Sequence, residues 1–235
     1  MFDDYLRKLK DRLIEPIAQR MSNIAPTTLT FIGLIVGIAS AVSAYFGLYF
    51  WSLVFWLINR SLDGLDGLVA RVHNKQNDFG GYIDTLSDFV VYAALPIGIV
   101  MGRPTPNRYI ALIAAFAFFY INTASWMYLA AILEKIATRD PETKTTIVMP
   151  SGLIGGFETI VFFSVFIIYP AQIALLLHIY TALVVFTILQ RVVWANHFLN
   201  ISLKKGNQIE EIFTRPRFFI KKHAKQPNFS QQDLE

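Results

Sequence analysis

Residues 63–88 read DGLDGLVARVHNKQNDFGGYIDTLSD and set four carboxylates, Asp63, Asp66, Asp84 and Asp88, at the join between two strongly apolar segments. Asp63 and Asp66 are three apart, and Asp84 and Asp88 four apart. On a helix either spacing puts both members of the pair on one face. If the two helices form an antiparallel hairpin, the pairs can converge on one point. Four converging anions repel one another unless a cation sits among them. All-oxygen ligation suits a hard divalent ion, Mg²⁺ or Mn²⁺, and four carboxylates could hold two such ions.

The small residues among the acids carry a second signal. Gly64, Gly67 and Ala70 recur every three positions and strip one side of the helix of bulk. Each glycine inside a helix costs about 1 kcal/mol relative to alanine, so something must approach that backbone closely. Arg71 follows, a permanent cation whose fork matches phosphate oxygens. Carboxylate-held metal, bare backbone and an arginine together describe a pyrophosphate site.

The spacing Asp63-x2-Asp66-Gly67-x2-Ala70-Arg71-x8-Gly80-x3-Asp84-x3-Asp88 resembles, position for position, the signature of the CDP-alcohol phosphotransferases. All eight fixed positions are present. The resemblance implies six membrane helices behind a short leading helix. It also implies transfer of a substituted phosphoryl group from a CDP-linked donor to a hydroxyl acceptor, with release of CMP. By the same resemblance, Asp63, Asp66 and Asp84 hold metals that bridge the donor phosphates. Asp88 shares a metal and acts as general base on the acceptor hydroxyl. Gly67, Ala70, Arg71, Thr30 and Gly80 are the candidates for contact with the CDP headgroup. Family members often carry Pro-Asn and a Thr three residues on before the first span; Pro26 and Thr30 match, whereas Thr27 stands where Asn is common. A homodimer is implied by the resemblance alone.

The whole chain agrees with a membrane setting. Its 235 residues are 54% hydrophobic, with a mean hydropathy of +0.44. That composition points to an all-α, polytopic membrane protein in place of a water-soluble domain. There are no cysteines, which excludes disulfides and thiolate metal sites. The net charge of +4 is accounted for by basic ends resting on anionic headgroups. No fold able to carry a nucleic-acid-binding patch is visible.

In chain order, residues 1–22 alternate charged residues with Phe2, Tyr5, Leu6, Leu9, Leu13, Ile14, Ile17 and Met21, the pattern of an interfacial amphipathic helix. Pro26 follows, and Thr27 or Thr28 is placed to cap the first span. A six-helix catalytic domain is expected over 23–198, with spans near 28–47, 50–72, 80–101, 109–133, 152–169 and 171–198. A polar cytoplasmic tail is expected over 199–235, with a short amphipathic piece at Ile209, Ile212 and Phe213. Asp78 is placed to cap the third span. Lysines and arginines crowd both ends and the segments 71–79 and 134–151, while only Arg103 and Arg108 lie on the other side. That asymmetry puts both termini and the acidic cluster in the cytoplasm.

Charged groups at membrane depth are functional suspects. Arg60, one turn before Asp63, could neutralise the cluster, meet a phosphate, or serve the acids structurally. Glu158, Arg191, Arg139 and Lys144 could bind the acceptor, against the alternatives of helix locking or simple solvated loop charge. The expected reaction is phosphatidyl transfer from CDP-diacylglycerol to a small polar alcohol. Two other readings stand beside it: the same fold with another CDP-alcohol donor, and a divalent-cation transporter, which would have no use for Gly67, Ala70 and Arg71 beside the acids.

Overall fold

In the computed structural model, residues 15–139 and 152–214 are described. Among these, after a helical segment over 15–19, come six α-helices: α1 Pro26–Tyr45, α2 Tyr49–Val72, α3 Asp78–Gly102, α4 Pro106–Arg139, α5 Gly156–Ile168 and α6 Ile173–Thr214, with a 3₁₀ turn Pro170–Gln172 between the last two. No strand occurs among the described residues. Most of the expected amphipathic helix (residues 1–14), Lys144 and residues 215–235 lie outside the described residues.

The bundle is held by small residues in α1, which packs against both α2 and α3. Gly33, Gly37, Ser40, Ala41 and Ala44 are all buried along α1. A Cβ on Gly98 of α3 would run into the carbonyl of Ala41, and one on Gly102 into that of Tyr45. Backbones that close leave no space for larger side chains, the packing mode of helices in lipid. Ser40 Oγ donates to the Ser52 carbonyl at 2.7 Å, tying α1 to α2 with no water required. Gly47, at φ 75°, turns the chain between them.

The main apolar core takes in Ala44 of α1 and Ala111 of α4 together with residues of the other helices. Trp56, Leu95, Ile99, Phe163, Phe166, Leu177 and Tyr180 are buried in it, drawn from α2, α3, α5 and α6. A smaller cluster joins Ala18, Leu29, Leu68 and Val69, with Met21 and Ile24 against it. Residues 15–19 are helical, and this cluster seats them on the end of α2.

Four helical segments are long and apolar enough to cross a membrane: Pro26–Tyr45, Asp78–Gly102, Pro106–Ile136 and Pro170–Asn200. The other two expected spans are helical but differ. α2 carries Arg60, Asp63, Asp66 and Arg71 along its second half. α5 has 13 residues, about 20 Å of helix against a hydrocarbon core of about 30 Å. It starts at Gly156 and not near 152 because residues 152–155 turn first: Gly152 has φ 74°, and Ile154 N donates to Thr187 Oγ1 at 3.0 Å.

Two local expectations are corrected. Ala25, with no side-chain hydrogen bond, precedes α1, so neither Thr27 nor Thr28 caps it; Pro26 occupies the first turn, where a missing N–H costs nothing. Asn77, not Asp78, caps α3: its Oδ1 accepts from Gly80 N at 2.7 Å. Asp78 instead lies in the first turn, where its charge suits the helix dipole. The span expected over 171–198 matches the apolar segment Pro170–Asn200, and its helix runs on to Thr214. The chain divides into two compact units, Met1–Val192 and Val193–Glu235. Within the second, the rings of Trp194 and Phe198 stack at 5.0 Å.

Candidate active site

α2 and α3 are joined by the short loop 73–77. Asp66 stands six residues before the end of α2, and Asp84 six after the start of α3, each about 9 Å from the loop at 1.5 Å per residue. Asp63 and Asp88 are one turn deeper on their helices. The hairpin therefore matches the acids by height, 66 with 84 and 63 with 88. The result is a two-tier cleft.

The inner recess is lined by Thr30, Gly33, Leu34, Asn59, Asp63, Asp66, Asp84, Ser87 and Asp88. All four carboxylates share it. Asp63 is near enough to Asp84 and Asp88, and Asp66 to Asp63 and Asp84, for their charges to act on one another. Asp66 is buried, 4% exposed, and Thr30 Oγ1 donates to its Oδ2 at 2.7 Å. No three acidic or histidine side chains among the described residues stand as a closed ligand set. The donor chemistry nonetheless fits a hard divalent ion: oxygen ligands only, from two facing helices.

The outer tier opens towards the loop. Pro26, Thr27, Thr30, Asp66, Gly67, Ala70, Arg71, Gly80 and Asp84 line it, together with Lys75, Gln76, Asn77 and Gly81. Every candidate for CDP contact is thus present on one wall or another. A Cβ on Gly67 would meet only Arg71 Nη1, at 3.4 Å, so the bareness of α2 there serves the cleft and not a neighbouring helix. Thr30, Asp66 and Asp84 belong to both tiers and form the passage between them.

The mouth is braced from residues 18–24. His73 Nε2 pairs with the Ala18 carbonyl at 2.9 Å. Lys75 Nζ donates to the Ser22 carbonyl and to that of Ile24 at 3.3 Å. Lys75 could have been read as a loose loop charge; its role as a brace shows only when the two segments meet.

The suggested acceptor residues do not gather here. Glu158 Oε2 accepts from Gly155 N at 3.0 Å and closes the start of α5. Arg191, 4% exposed, donates through Nη1 to Asn122 O at 3.1 Å and Oδ1 at 2.9 Å. Its buried Nε has no hydrogen-bond partner among the described residues. Neither lines the cleft. Lys144 and the side chain of Arg139 lie outside the described residues.

The comparison with known proteins decides the class. The profile of the CDP-alcohol phosphatidyltransferase family matches residues 23–202. The chain belongs to this family. It is a transferase for substituted phosphate groups, and its apolar helices make it an integral membrane protein.

Among its relatives is the inner membrane protein YnjF of Escherichia coli K12, 34% identical over 77% of this chain and 87% of that one. The transferase is 26% identical to an archaetidylinositol phosphate synthase of Pyrococcus horikoshii, over 41% of this chain and 54% of the other. It is 31% identical to a CDP-diacylglycerol–serine O-phosphatidyltransferase of Methanocaldococcus jannaschii, over 38% and 40%. Its fold is similar to that of the Mycobacterium tuberculosis phosphatidylinositol phosphate synthase crystallised with CDP-DAG, with a TM-score of 0.58 at 19% identity over 78% of this chain and 94% of that one.

Proposed function

We propose that the transferase moves a phosphatidyl group from CDP-diacylglycerol to a small polar alcohol and releases CMP. The observation that carries this reading is the shared recess of Asp63, Asp66, Asp84 and Asp88, opening directly onto the bare face of Gly67 and Ala70. A metal-binding cluster alone would need no such approach surface. The serine transferase and the inositol phosphate synthases among its similar proteins use alcohols of this kind, as their names say.

Asp63, Asp66, Asp84 and Asp88 would hold two Mg²⁺ or Mn²⁺ ions. Bound there, the ions would supply Lewis acidity to the donor pyrophosphate and help acidify the acceptor alcohol. The chain's own residues do the rest. Gly67 and Ala70 let the nucleotide lie against α2, Gly80 keeps the facing wall low, and Arg71 steadies the phosphates with a planar fork. Thr30 holds Asp66 by its Oδ2. Asp88 accepts the proton of the acceptor hydroxyl as that oxygen attacks the β-phosphorus of the donor, the phosphorus of its phosphatidyl group.

The same reading has six membrane crossings over 23–198, α2 and the short α5 included. An interfacial helix over 1–22 and a tail over 199–235 flank them. Both termini and the cleft face the cytoplasm, and the protein works as a homodimer. The acyl chains of the donor stay in the bilayer while its headgroup enters the cleft. Arg139 and Lys144 are the candidates for handling the acceptor, since Glu158 and Arg191 are engaged away from the cleft.

The test is CMP release by purified protein from CDP-diacylglycerol, with serine, glycerol 3-phosphate and inositol phosphate supplied in turn, with Mg²⁺, with Mn²⁺ and with chelator. Release that requires one acceptor and a divalent ion is the expected result. Metal flux into liposomes without CMP release would overturn the reading.

A further inference from the structure

Arg60 is a permanent cation behind the wall of the acidic recess, in contact with its lining residues Asn59, Asp63 and Asp88, and the reaction as described gives it no part. It lies on α2 between Trp56 and Asp63 and is 8% exposed. Each edge of its guanidinium is engaged. Nε donates to Asn59 Oδ1 at 2.8 Å, Nη1 to the Tyr92 hydroxyl at 2.9 Å, and Nη2 to Asp88 Oδ1 at 2.8 Å. Asp63 Oδ2 is 3.7 Å from Nη1. The rings of Trp56 and Tyr92 stand 4.9 and 5.0 Å from its Cζ.

The residues around the guanidinium are themselves held. The Trp56 indole N–H donates to Ser164 Oγ on α5 at 3.1 Å. Asn59 Nδ2 donates to the Gly33 carbonyl on α1 at 2.8 Å. Trp56 and Arg60 are one turn apart on α2, and Asp88 and Tyr92 one turn apart on α3, so four side chains close as a clasp across the hairpin. A cation that merely offset negative charge would need none of this. Hydrogen bonds in three directions and two flanking rings fix the plane of the guanidinium, which only the arginine fork can satisfy. Fixing that plane selects one oxygen of Asp88.

We infer that Arg60 is a positioning residue of the transfer reaction: it grips Asp88 by Oδ1, leaving Oδ2 as the oxygen that serves the recess, and it balances the acids so that the α2–α3 hairpin closes before any divalent ion binds. A buried charge with its partner removed is far more costly than the pair is beneficial. Arg60 and Asp88 are therefore coupled in the ion-free protein. The catalytic half of this inference rests on the proposed function; the coupling half does not.

The experiment has two arms. In the first, thermal unfolding of chelator-treated protein in detergent is measured for wild type, Arg60→Gln, Asp88→Asn and the double variant. Arg60→Gln should lower the midpoint, and adding Asp88→Asn should recover part of that loss, a non-additivity expected of residues in one network. Added Mn²⁺ should raise the midpoint of Arg60→Gln more than that of wild type. In the second arm, Arg60→Lys keeps the charge and loses the fork. Its kcat should fall about 10- to 100-fold, the scale of a misplaced reacting group, with little change in KM for CDP-diacylglycerol.

Additive midpoints would refute the coupling, and a wild-type kcat in Arg60→Lys would refute the positioning. Should Arg60→Gln fail to fold, Arg60→Lys in the same chelator-treated cycle with Asp88→Asn decides the first arm. Wild-type turnover is the control: its absence with every acceptor would count against the proposed function, while the unfolding cycle would still judge the pairing.

Discussion

Thr30 Oγ1 donates to Asp66 Oδ2 across 2.7 Å, a buried link between α1 and α2 at the passage from the outer cleft to the inner recess. Hydrogen bonds to charged groups contribute about 1.5–3 kcal/mol. Thr30→Val keeps the volume and removes the donor. We expect turnover to drop about tenfold or more, the equivalent of 1.4 kcal/mol, and Thr30→Ser to stay near wild type. A loss in Thr30→Ser with Thr30→Val at the wild-type rate would show that the methyl group, not the hydroxyl, matters.

Asp66→Asn tests the acid itself. Asparagine is the same size and keeps an acceptor for Thr30, so unfolding in detergent should change little. Turnover should fall by more than the roughly 10–100-fold typical of residues that only support a ligand. A wild-type rate would remove Asp66 from the site.

Gly67 and Gly98 are both helical glycines, and they should answer oppositely to alanine. A Cβ at Gly67 reaches only Arg71 Nη1 at 3.4 Å, so Gly67→Ala should add about 1 kcal/mol of helix stability. In a chain of this size that raises the unfolding midpoint by about 2–4 °C. The same methyl narrows the cleft, so KM for the CDP donor should rise. Gly98→Ala drives its Cβ into the Ala41 carbonyl and should lower the midpoint. A midpoint that falls for Gly67→Ala would mean that α2 packs tightly there after all.

Asn77 and Asp78 separate in the same way. Losing an N-cap costs about 0.5–2 kcal/mol. Asn77→Ala should therefore destabilise α3 measurably, in thermal unfolding or in hydrogen exchange of its first turn. Asp78→Ala loses only a dipole interaction of about 0.3–1 kcal/mol on an exposed side chain. The reverse order would restore Asp78 as the cap.

Much of this protein was legible in its residues. Each of the six expected helices is present, because runs such as those of α1, α3 and α6 are too apolar and too long for anything else in a membrane protein. The pairing of Asp63 with Asp66 and of Asp84 with Asp88 follows from helical spacing, and a short loop forces the pairs to the same end. These are properties of single helices and of their immediate connection. Caps were harder: Asn77 and Asp78 are adjacent and chemically alike, and the choice between them is a matter of one residue's backbone angles.

What the linear chain left open is which faces meet. Trp56 finds Ser164 across 108 residues, and Arg191 finds Asn122 across 69. Arg60 could equally have faced a phosphate; only the approach of Tyr92 and Asp88 on α3 commits it to a clasp. Glu158 reads as either a site residue or a lock between two helices, and it bonds the start of its own helix. Periodicity states which side of a helix is apolar, small or charged. The neighbour that side receives depends on contacts between distant segments, where close backbone approach at Gly98 and Gly102 sets the spacing of the bundle and buried backbone groups must find partners.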